Sequence, residues 1–405
     1  MTLRTGVFFC KTIALAALTV TLATAALAQS ETVIYSFTGG SDGADPNGGV
    51  VLDSKGNLYG TVFSGGANGA GAVFELSPNT GGGWTETVIY SFGFTTGAGF
   101  LPSSGLIFDT QGNLYGETLA GGTTGAGTIF ELSPGSNGTW TEKTLYNFAG
   151  GTDGTVPFSG TLALDSSGIL YGITQSGGTF GFGTVFQLVA GTNGTWTKNI
   201  LHSFAQDDDG GLPYAEQLVL DSSGNVYGTT LQGGAHDYGV VFELVRGSGG
   251  TWSGKILHAF MGGVDGSAPE GGVTFDAAGN LYGNSSYSVF QLVPGSNGRW
   301  TENIAHEFRG GTDGSGPDSI LTLDQAGNLY GTTYGGGQHR GTVFQLTPHS
   351  NGTWTKTILH GFTSTGGDGV FPFFAGLAID PHGNLFGTTS SGGNSNAGVV
   401  FEVVP

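Results

Sequence analysis

The sequence predicts an all-β, seven-bladed β-propeller made of four-stranded antiparallel blades. The first observation is a Leu-Tyr-Gly motif, or a close variant, that recurs at spacings of 56, 56, 56, 55, 48 and 56 residues. A fixed period of this length indicates a repeat architecture, with one supersecondary unit used many times. The second observation is that each unit contains four strand-like segments, which is the content of one propeller blade. The aromatic residue of the motif lies at Tyr59, Tyr115, Tyr171, Tyr227, Tyr282, Tyr330 and Phe386.

The composition agrees with many short strands joined by tight turns. Among 405 residues there are 80 glycines, 12% aromatic residues and only 10% charged residues. Glycine at this level without a Gly-X-Y period excludes a collagen-like chain, and the aromatic content argues against disorder. We therefore expect strands rather than amphipathic helices throughout.

The four strands of the first unit are predicted at 49–53, 57–63, 72–76 and 84–92, and we name them a, b, c and d. All are rich in β-branched and aromatic residues and are separated by Gly, Asn, Asp or Ser. The turn from a to b reads Asp-x-x-Gly-Asn, in which Asp accepts backbone N–H groups and Gly supplies a positive φ. A β-helix, the alternative repeat fold, would have a much shorter coil.

The two ends of the chain predict how the ring closes. Seven a-b-c trios are present, but only six d strands follow one, and the six tryptophans open those strands. The last trio ends the chain, and the missing d strand is found at 31–37. We therefore predict that this N-terminal strand pairs with the C-terminal three strands, which removes exposed sheet edges. The result is one domain over 31–405.

The first 28 residues read as a secretory signal peptide. Arg4 and Lys11 are followed by an apolar run at 13–26 and by the small-x-small pattern Ala26-Leu27-Ala28. Such a segment is cleaved on export, although an uncleaved membrane anchor is the alternative. Cys10 is the only cysteine and lies in this segment, so the mature chain has no disulfides. We expect a secreted, extracellular or periplasmic protein that is a monomer and has no span in its mature part.

The net charge limits the partners. The formal charge is −19 at pH 7, with 30 acidic against 11 basic residues. Such an acidic protein is repelled by nucleic acid and by anionic lipid. Cations, neutral glycans and neutral components of a cell surface remain as partners.

The repeat resembles a known family. Its units carry Asp-x-x-Gly-Asn-Leu-Tyr-Gly-Thr, then Gly-Gly, then Gly-Thr-Val-Phe-Glu/Gln-Leu. These motifs are similar to the GloVer tandem repeat of bacterial extracellular proteins of the choice-of-anchor type. The resemblance implies export and a repeat architecture, and it implies no activity. Members often carry a C-terminal sorting anchor, whereas this sequence stops at Pro405 without one.

Three repeated columns predict structural hydrogen bonds rather than catalysis or metal binding. The a–b turn always contains Asp, and the residue after the strand-c Phe alternates between Glu and Gln, so it needs no charge. A column in strand d alternates between Tyr and His and lies on separate blades, too far apart for one shared ion. The strand-d column comprises Tyr35, Tyr90, Tyr146, His202, His258, His306 and His360.

The loop from strand d to the next strand a contains Asp in six of its copies, and Ala98 replaces it in another. Turn formation explains these residues. The alternative is a ring of carboxylates near the central mouth that binds a cation such as Ca²⁺. The candidate metal ligands are Asp42, Asp153, Asp209, Asp265, Asp313 and Asp368.

A candidate ligand site is predicted where the repetition fails. The fifth unit has a shortened b–c loop, with 284–288 in place of the usual Gly-Gly loop, which we expect to open a notch on one face. Acidic residues after the loop prolines surround this position, and carboxylates near a cleft bind cations, bind sugar hydroxyls or act as acid and base. The alternative is that these acidic loops are merely solvated. The candidate residues are Glu216, Glu270, Asp318, Asp207 and Asp208, with Tyr214 and Tyr287 as stacking rings.

Two functions follow from this sequence. The first is a non-catalytic binding or cell-surface/matrix module whose ligand is a glycan or a cation. The second is a propeller hydrolase or lyase that acts on a carbohydrate or lactone. The inner strands are mostly apolar, with their Asp at the turn, which favours the binding module.

Overall fold

The computed structural model of the protein describes residues 30–157, 160–214, 217–338, 340–372 and 376–405. The predicted signal peptide, 1–28, lies outside the described residues. Seven four-stranded antiparallel blades are present, so the predicted propeller is confirmed. In each blade the order a-b-c-d runs from the central axis to the outer edge. Within the described part of the chain, no helix has the length and apolarity needed to span a membrane.

The strands have these bounds. Blades 1 to 3 consist of Val51–Leu52, Leu58–Val62, Ala72–Pro78 and Trp84–Ser91; Ile107–Phe108, Leu114–Gly121, Thr128–Pro134 and Trp140–Asn147; and Ala163–Leu164, Leu170–Thr174, Thr184–Ala190 and Trp196–Ser203. Blades 4 and 5 consist of Val219–Leu220, Val226–Gln232, Val240–Arg246 and Trp252–Ala259; and Val273–Phe275, Leu281–Asn284, Ser288–Pro294 and Trp300–Glu307. Blades 6 and 7 consist of Thr322–Leu323, Leu329–Thr333, Thr342–Pro348 and Trp354–Gly361; and Ala378–Ile379, Leu385–Thr389, Val399–Val404 and Ser30–Ser36.

Short additional elements decorate the loops. Gly99–Pro102 and Gly211–Pro213 extend blades 2 and 4, and Gly369–Val370 pairs with Ser391–Gly392. Single 3₁₀ turns lie at Ser136–Gly138, Gly151–Asp153, Thr192–Gly194, Ser248–Gly250, Gly263–Asp265 and Gly311–Asp313.

The N-terminal strand closes the ring, as predicted. Ser30–Ser36 pairs antiparallel with Val399–Val404, in a register that runs from Ser30 opposite Val404 to Ser36 opposite Val399. The register shifts by a β-bulge between Val33 and Tyr35, and every other c–d pair has its bulge at the matching place. The first strand is therefore an ordinary d strand supplied from the far end of the chain.

One aromatic contact repeats at every junction between blades. The Phe that follows each d strand meets the strand-c Phe of the next blade edge-to-face, with ring centroids 5.1–5.5 Å apart. Phe37 makes this contact with Phe74, so blade 7 packs on blade 1 as the other blades pack on one another. The Gly of the Leu-Tyr-Gly motif lies under the same ring, because a Cβ on Gly60 would come within 2.6 Å of the Phe74 ring.

The a–b turn, the motif Tyr and the Glu/Gln column form one hydrogen-bonded unit. In blade 4, Asp221 Oδ1 accepts the backbone N–H groups of Ser223 and Asn225 at 2.8 and 2.9 Å. The Tyr227 hydroxyl lies 3.1 Å from Asp221 Oδ2 and 2.9 Å from Glu243 Oε1. In blade 5 a glutamine takes the Glu position, with Gln291 Nε2 donating to the motif tyrosine at 2.7 Å. These contacts support the structural interpretation of these columns.

Closure predicts the effect of removing the first strand. Deletion of residues 31–37 leaves the outer-edge backbone groups of Val399–Val404 unpaired and exposes the buried partners of Phe37. We expect a loss of several kcal/mol in the free energy of unfolding, or insolubility, measured by denaturant titration. A chain that begins at residue 29 is the control. Equal stability of the two chains would contradict ring closure.

Candidate functional site

Each junction between blades contains one set of three facing positions, which we call the junction triad. The first position is the Tyr or His of strand d, the second is the loop Asp, and the third is the residue two places after the Trp position in strand d of the next blade. The triads are Tyr35–Asp42–Glu86, Tyr90–Ala98–Glu142, Tyr146–Asp153–Lys198, His202–Asp209–Gly254, His258–Asp265–Glu302, His306–Asp313–Lys356 and His360–Asp368–Glu31.

The loop Asp residues anchor their loops to the outermost strand of their own blade. Asp42 accepts the Tyr35 hydroxyl at 3.1 Å and the Thr38 backbone N–H at 2.8 Å. Asp313 makes the same pair of contacts with His306 and with the Arg309 backbone N–H. The carboxylates proposed above as a ring near the central mouth therefore lie in separate junctions, because each is held by a side chain of strand d.

Two junctions contain a buried ammonium group. The Lys198 and Lys356 side chains are 2% and 8% exposed, and each Nζ donates to the loop Asp Oδ1, at 3.0 and 2.7 Å. Each Nζ also donates to the backbone carbonyl of that same Asp and lies over aromatic rings. The pKa of Asp313 is lowered, against the effect of its burial, by hydrogen bonds from Lys356 and the Arg309 backbone.

Other junctions place a second carboxyl group where these lysines lie. Burial, and then the neighbouring Asp265, raise the pKa of Glu302 to about 9. Burial is also the main cause that raises the pKa of Glu31. This column is not apparent in the sequence when the units are aligned on Leu-Tyr-Gly. It becomes apparent when they are aligned on the strand-d Trp, because each member lies two residues after that position.

A central cavity of about 640 Å³ runs between the innermost strands. Its wall consists of strand-a residues and the residues that precede them, and most of them are small or apolar, with Asn47 and Gln217 as larger polar members. The six described members of the predicted ligand set, Glu270, Asp318, Asp207, Asp208, Tyr214 and Tyr287, are not part of this wall. The wall includes Asn47, Gly48, Gly49, Ser103, Gly105, Thr161, Thr274, Thr322 and Gly376.

Glu270 and Asp318 are close enough for their charges to interact, and we call them the rim pair because they take the places in the repeat that Asn47 and Ser103 occupy at the cavity wall. Glu270 and Asp318 lie three places before Val273 and Leu321. Asn47 and Ser103 take the same place in blades 1 and 2, and both line the cavity. Asp318 is 4% exposed. Burial and then the charge of Glu270 raise the pKa of Asp318 well above its ordinary value, and burial raises the pKa of Glu270.

Asn284 completes the rim site and was not predicted as a functional residue. It ends strand b of blade 5, and its Nδ2 donates to the Ser319 backbone carbonyl. Threonines at the same place in three other blades make the matching contact: Thr61 with the Ser104 carbonyl at 2.8 Å, Thr332 with the Pro372 carbonyl and Thr388 with the Gly48 carbonyl. The buried Asn284 Oδ1 has no hydrogen-bond partner among the described residues, and the same is true of Asp318 Oδ1.

The shortened loop of blade 5 is tighter than expected. Asn284 and Ser288 belong to strands, so the connection is only 285–287. The Ser286 backbone N–H donates to the Ser267 carbonyl at 2.8 Å, which fixes this turn to the preceding d–a loop. Tyr287 is 59% exposed at its tip.

The remaining predicted ligand residues belong to other segments of the chain. Asp207 and Asp208 are exposed in the loop between blades 3 and 4, where Asp207 Oδ1 accepts the Asp209 backbone N–H. Tyr214 is partly buried at the start of blade 4. Glu216 lies outside the described residues. The structure thus joins two of the predicted carboxyl groups and adds Asn284.

Comparisons with known proteins agree with the fold. The family model of the Gloeobacter/Verrucomicrobia repeat matches residues 19–169, 160–289 and 217–405. No curated protein matches the sequence. Virginiamycin B lyase from Staphylococcus aureus has a TM-score of 0.56 at 13% identity, with 93% of this chain and 99% of that chain covered. The extracellular domain of a protein from B. thetaiotaomicron named as a one-component system has a TM-score of 0.58 at 16% identity, with 93% and 41% covered. At these identities the two structures are similar in fold alone.

The triad Tyr35–Asp42–Glu86, between blades 7 and 1, predicts a pH dependence of stability. Burial, and then Asp42, raise the pKa of Glu86 from 4.5 to about 7. The unfolded chain ionises first, so this residue lowers stability as pH rises from about 4.5 to about 7. Glu86→Gln should raise the free energy of unfolding at pH 8 by about 1 kcal/mol, after allowance for solvent screening, and change it little at pH 4.

Denaturant unfolding of both proteins at the two pH values measures this effect. Asp208→Asn, at an exposed position, is the control and should have no effect at either pH. An equal change for Glu86→Gln at pH 4 and pH 8 would show that burial of its charge is not the cause.

Proposed function

We propose that this chain, which belongs to the Gloeobacter/Verrucomicrobia repeat family, is an exported binding protein that holds a neutral glycan at the rim of its central cavity. The observation that carries the proposal is the break in sevenfold repetition at Glu270, Asp318 and Asn284. Structure requires the blades to be alike, whereas a ligand requires one sector to differ. Here the difference places unsatisfied polar atoms in a buried position.

The chemistry of the rim pair suits hydroxyl groups. Burial raises the pKa of both carboxyl groups, and the charge of Glu270 further raises that of Asp318, so the pair favours a state in which one carboxyl group is protonated. A protonated carboxyl donates a hydrogen bond, while the ionised partner and Asn284 Oδ1 accept. Sugar hydroxyls both donate and accept, and they fill such a set of donors and acceptors.

The surroundings favour a neutral ligand over a charged one. The net charge of −19 repels anions. The cavity wall consists mainly of glycines, threonines and aliphatic side chains and contains no charged residue among those that the structure describes, and its volume of about 640 Å³ is in the range of small-ligand sites. The exported location rests on the predicted signal peptide at 1–28 and on the sequence resemblance.

A second function is favoured by the same rim pair. Paired carboxyl groups whose environments push their pKa values apart serve as acid and base in glycoside cleavage. An enzyme that acts on a carbohydrate or lactone is therefore the alternative, and it makes the same residues essential for turnover rather than for affinity alone.

The test is binding of neutral oligosaccharides, first on a glycan array and then by calorimetry on the strongest hits. Glu270→Gln removes the titratable proton and should weaken binding at least 10-fold, while the melting temperature stays within a few degrees. Asp318→Asn should act in the same direction, because an amide cannot ionise and therefore cannot replace the carboxylate of the pair as an acceptor. Asp208→Asn is the matched control and should bind normally.

Product analysis with the same hits separates the two functions. Binding without conversion supports the binding module, and conversion that Glu270→Gln abolishes supports the enzyme. Full affinity in both rim variants would contradict the rim site altogether.

A further inference from the structure

Two of the junction triads have the composition of a metal site. They combine one imidazole with two carboxyl groups: His258, Asp265 and Glu302 between blades 4 and 5, and His360, Asp368 and Glu31 between blades 6 and 7. In each set the ligand atoms all lie within 4.8 Å of one another. We propose that each of these two junctions binds one divalent transition-metal ion of the Zn²⁺ class.

The spacing of the atoms matches tetrahedral coordination. His258 Nε2 lies 3.1 Å from Asp265 Oδ1 and 3.7 Å from Glu302 Oε1. Ligand atoms that surround Zn²⁺ tetrahedrally at about 2.1 Å are about 3.4 Å apart. Two of the three distances are therefore within a few tenths of an ångström of this value, and the third pair lies within 4.8 Å.

Two of the three ligand atoms make no hydrogen bond in the part of the fold that the structure describes. His258 Nε2 and Glu302 Oε1 are buried and make no hydrogen bond within the described residues, because the His258–Asp265 contact lacks hydrogen-bond geometry. The three side chains are 17%, 10% and 13% exposed. Buried polar atoms without partners are costly, and a bound cation would satisfy them.

The second junction repeats the arrangement at the ring closure. His360 Nε2 lies 3.3 Å from Asp368 Oδ2, and the buried Glu31 Oε1 lacks a hydrogen-bond partner in the described part of the chain. The Asp368 carboxylate also accepts the Thr363 backbone N–H at 2.7 Å, which fixes its orientation. Glu31 belongs to the closing strand, so an ion here would join the first strand of the chain to blade 6.

The chain itself places a cation in this position elsewhere. Lys356 is the counterpart of Glu302, and its ammonium group bonds to Asp313 Oδ1 and to the Asp313 carbonyl. Lys198 does the same with Asp153. The junction thus accommodates positive charge beside the loop Asp, supplied by lysine in two blades. In the two junctions that have glutamate in place of this lysine together with a histidine, a bound metal ion would take the place of the lysine ammonium group.

The ligand types select the metal. An imidazole nitrogen with two carboxylate oxygens suits Zn²⁺ and neighbouring transition metals. Ca²⁺ prefers six to eight oxygen ligands, which these triads do not supply. The calcium expectation for Asp265 and Asp368 is therefore replaced here by a proposal for a transition metal.

The experiment is calorimetric titration of chelator-treated protein with Zn²⁺ and, separately, with Ca²⁺, together with the melting temperature at each metal concentration. We expect two Zn²⁺ ions per chain, one for each triad, a rise of several degrees in melting temperature, and weaker binding of Ca²⁺.

The repeat supplies variants that the fold already tolerates. Glu302→Lys gives the triad composition of His306–Asp313–Lys356, and His258→Tyr gives that of Tyr35–Asp42–Glu86. Each should remove one bound Zn²⁺ ion, and Glu302→Lys combined with Glu31→Lys should weaken Zn²⁺ binding at least 100-fold. His306→Tyr changes a lysine-containing triad and should leave Zn²⁺ binding unchanged.

Undiminished Zn²⁺ binding by the doubly substituted protein, no binding by the unaltered protein at micromolar Zn²⁺, or tighter binding of Ca²⁺ than of Zn²⁺ would each overturn the proposal. The melting temperature without metal shows whether each variant is folded, so loss of folding is not mistaken for loss of the site.

Discussion

The pairing of the first strand with the last three holds the whole ring together. A propeller blade buries its faces only against its two neighbours, so an open ring would expose one face at each end. Ser30–Ser36 prevents this by completing blade 7 in the register and with the bulge of every other d strand. Phe37 then packs on Phe74, which continues the contact between blades across the chain ends.

Once the ring is closed, the repeated and the variable positions have different roles. The phenylalanine contacts, the turn aspartates and the tyrosine network recur because each blade must meet the next in the same way. The junction triads vary in charge while keeping their geometry, from Lys356 to Glu302 at one position. The rim positions differ between blades, and one sector combines Glu270, Asp318 and Asn284, while blade 2 has the buried Glu117 at the position of Asn284. Within this chain, some positions of the repeat thus serve the fold, and other positions serve binding in the proposed function.

The sequence predicted the fold well because repetition compares the chain with itself. The period, the four strands and the exchange of one strand between the ends all follow from that comparison. The triads were not predicted because their members come from three segments, and only the folded loop brings Asp265 beside His258 and Glu302. The rim pair was partly predicted from acidity after proline. Asn284 was placed in a loop, because the strand extends one residue further than the motif suggested.

Cross-linking tests ring closure most directly. Thr32 and Glu402 are directly opposed in the closing pair. Opposed residues on antiparallel strands have Cα atoms about 4.5–5.5 Å apart, which suits a disulfide. Thr32→Cys with Glu402→Cys, in a chain lacking residues 1–28 and hence Cys10, should form an intramolecular disulfide on mild oxidation and raise the melting temperature. Failure to form this disulfide in folded protein, or its formation only between two chains, would contradict the closed ring.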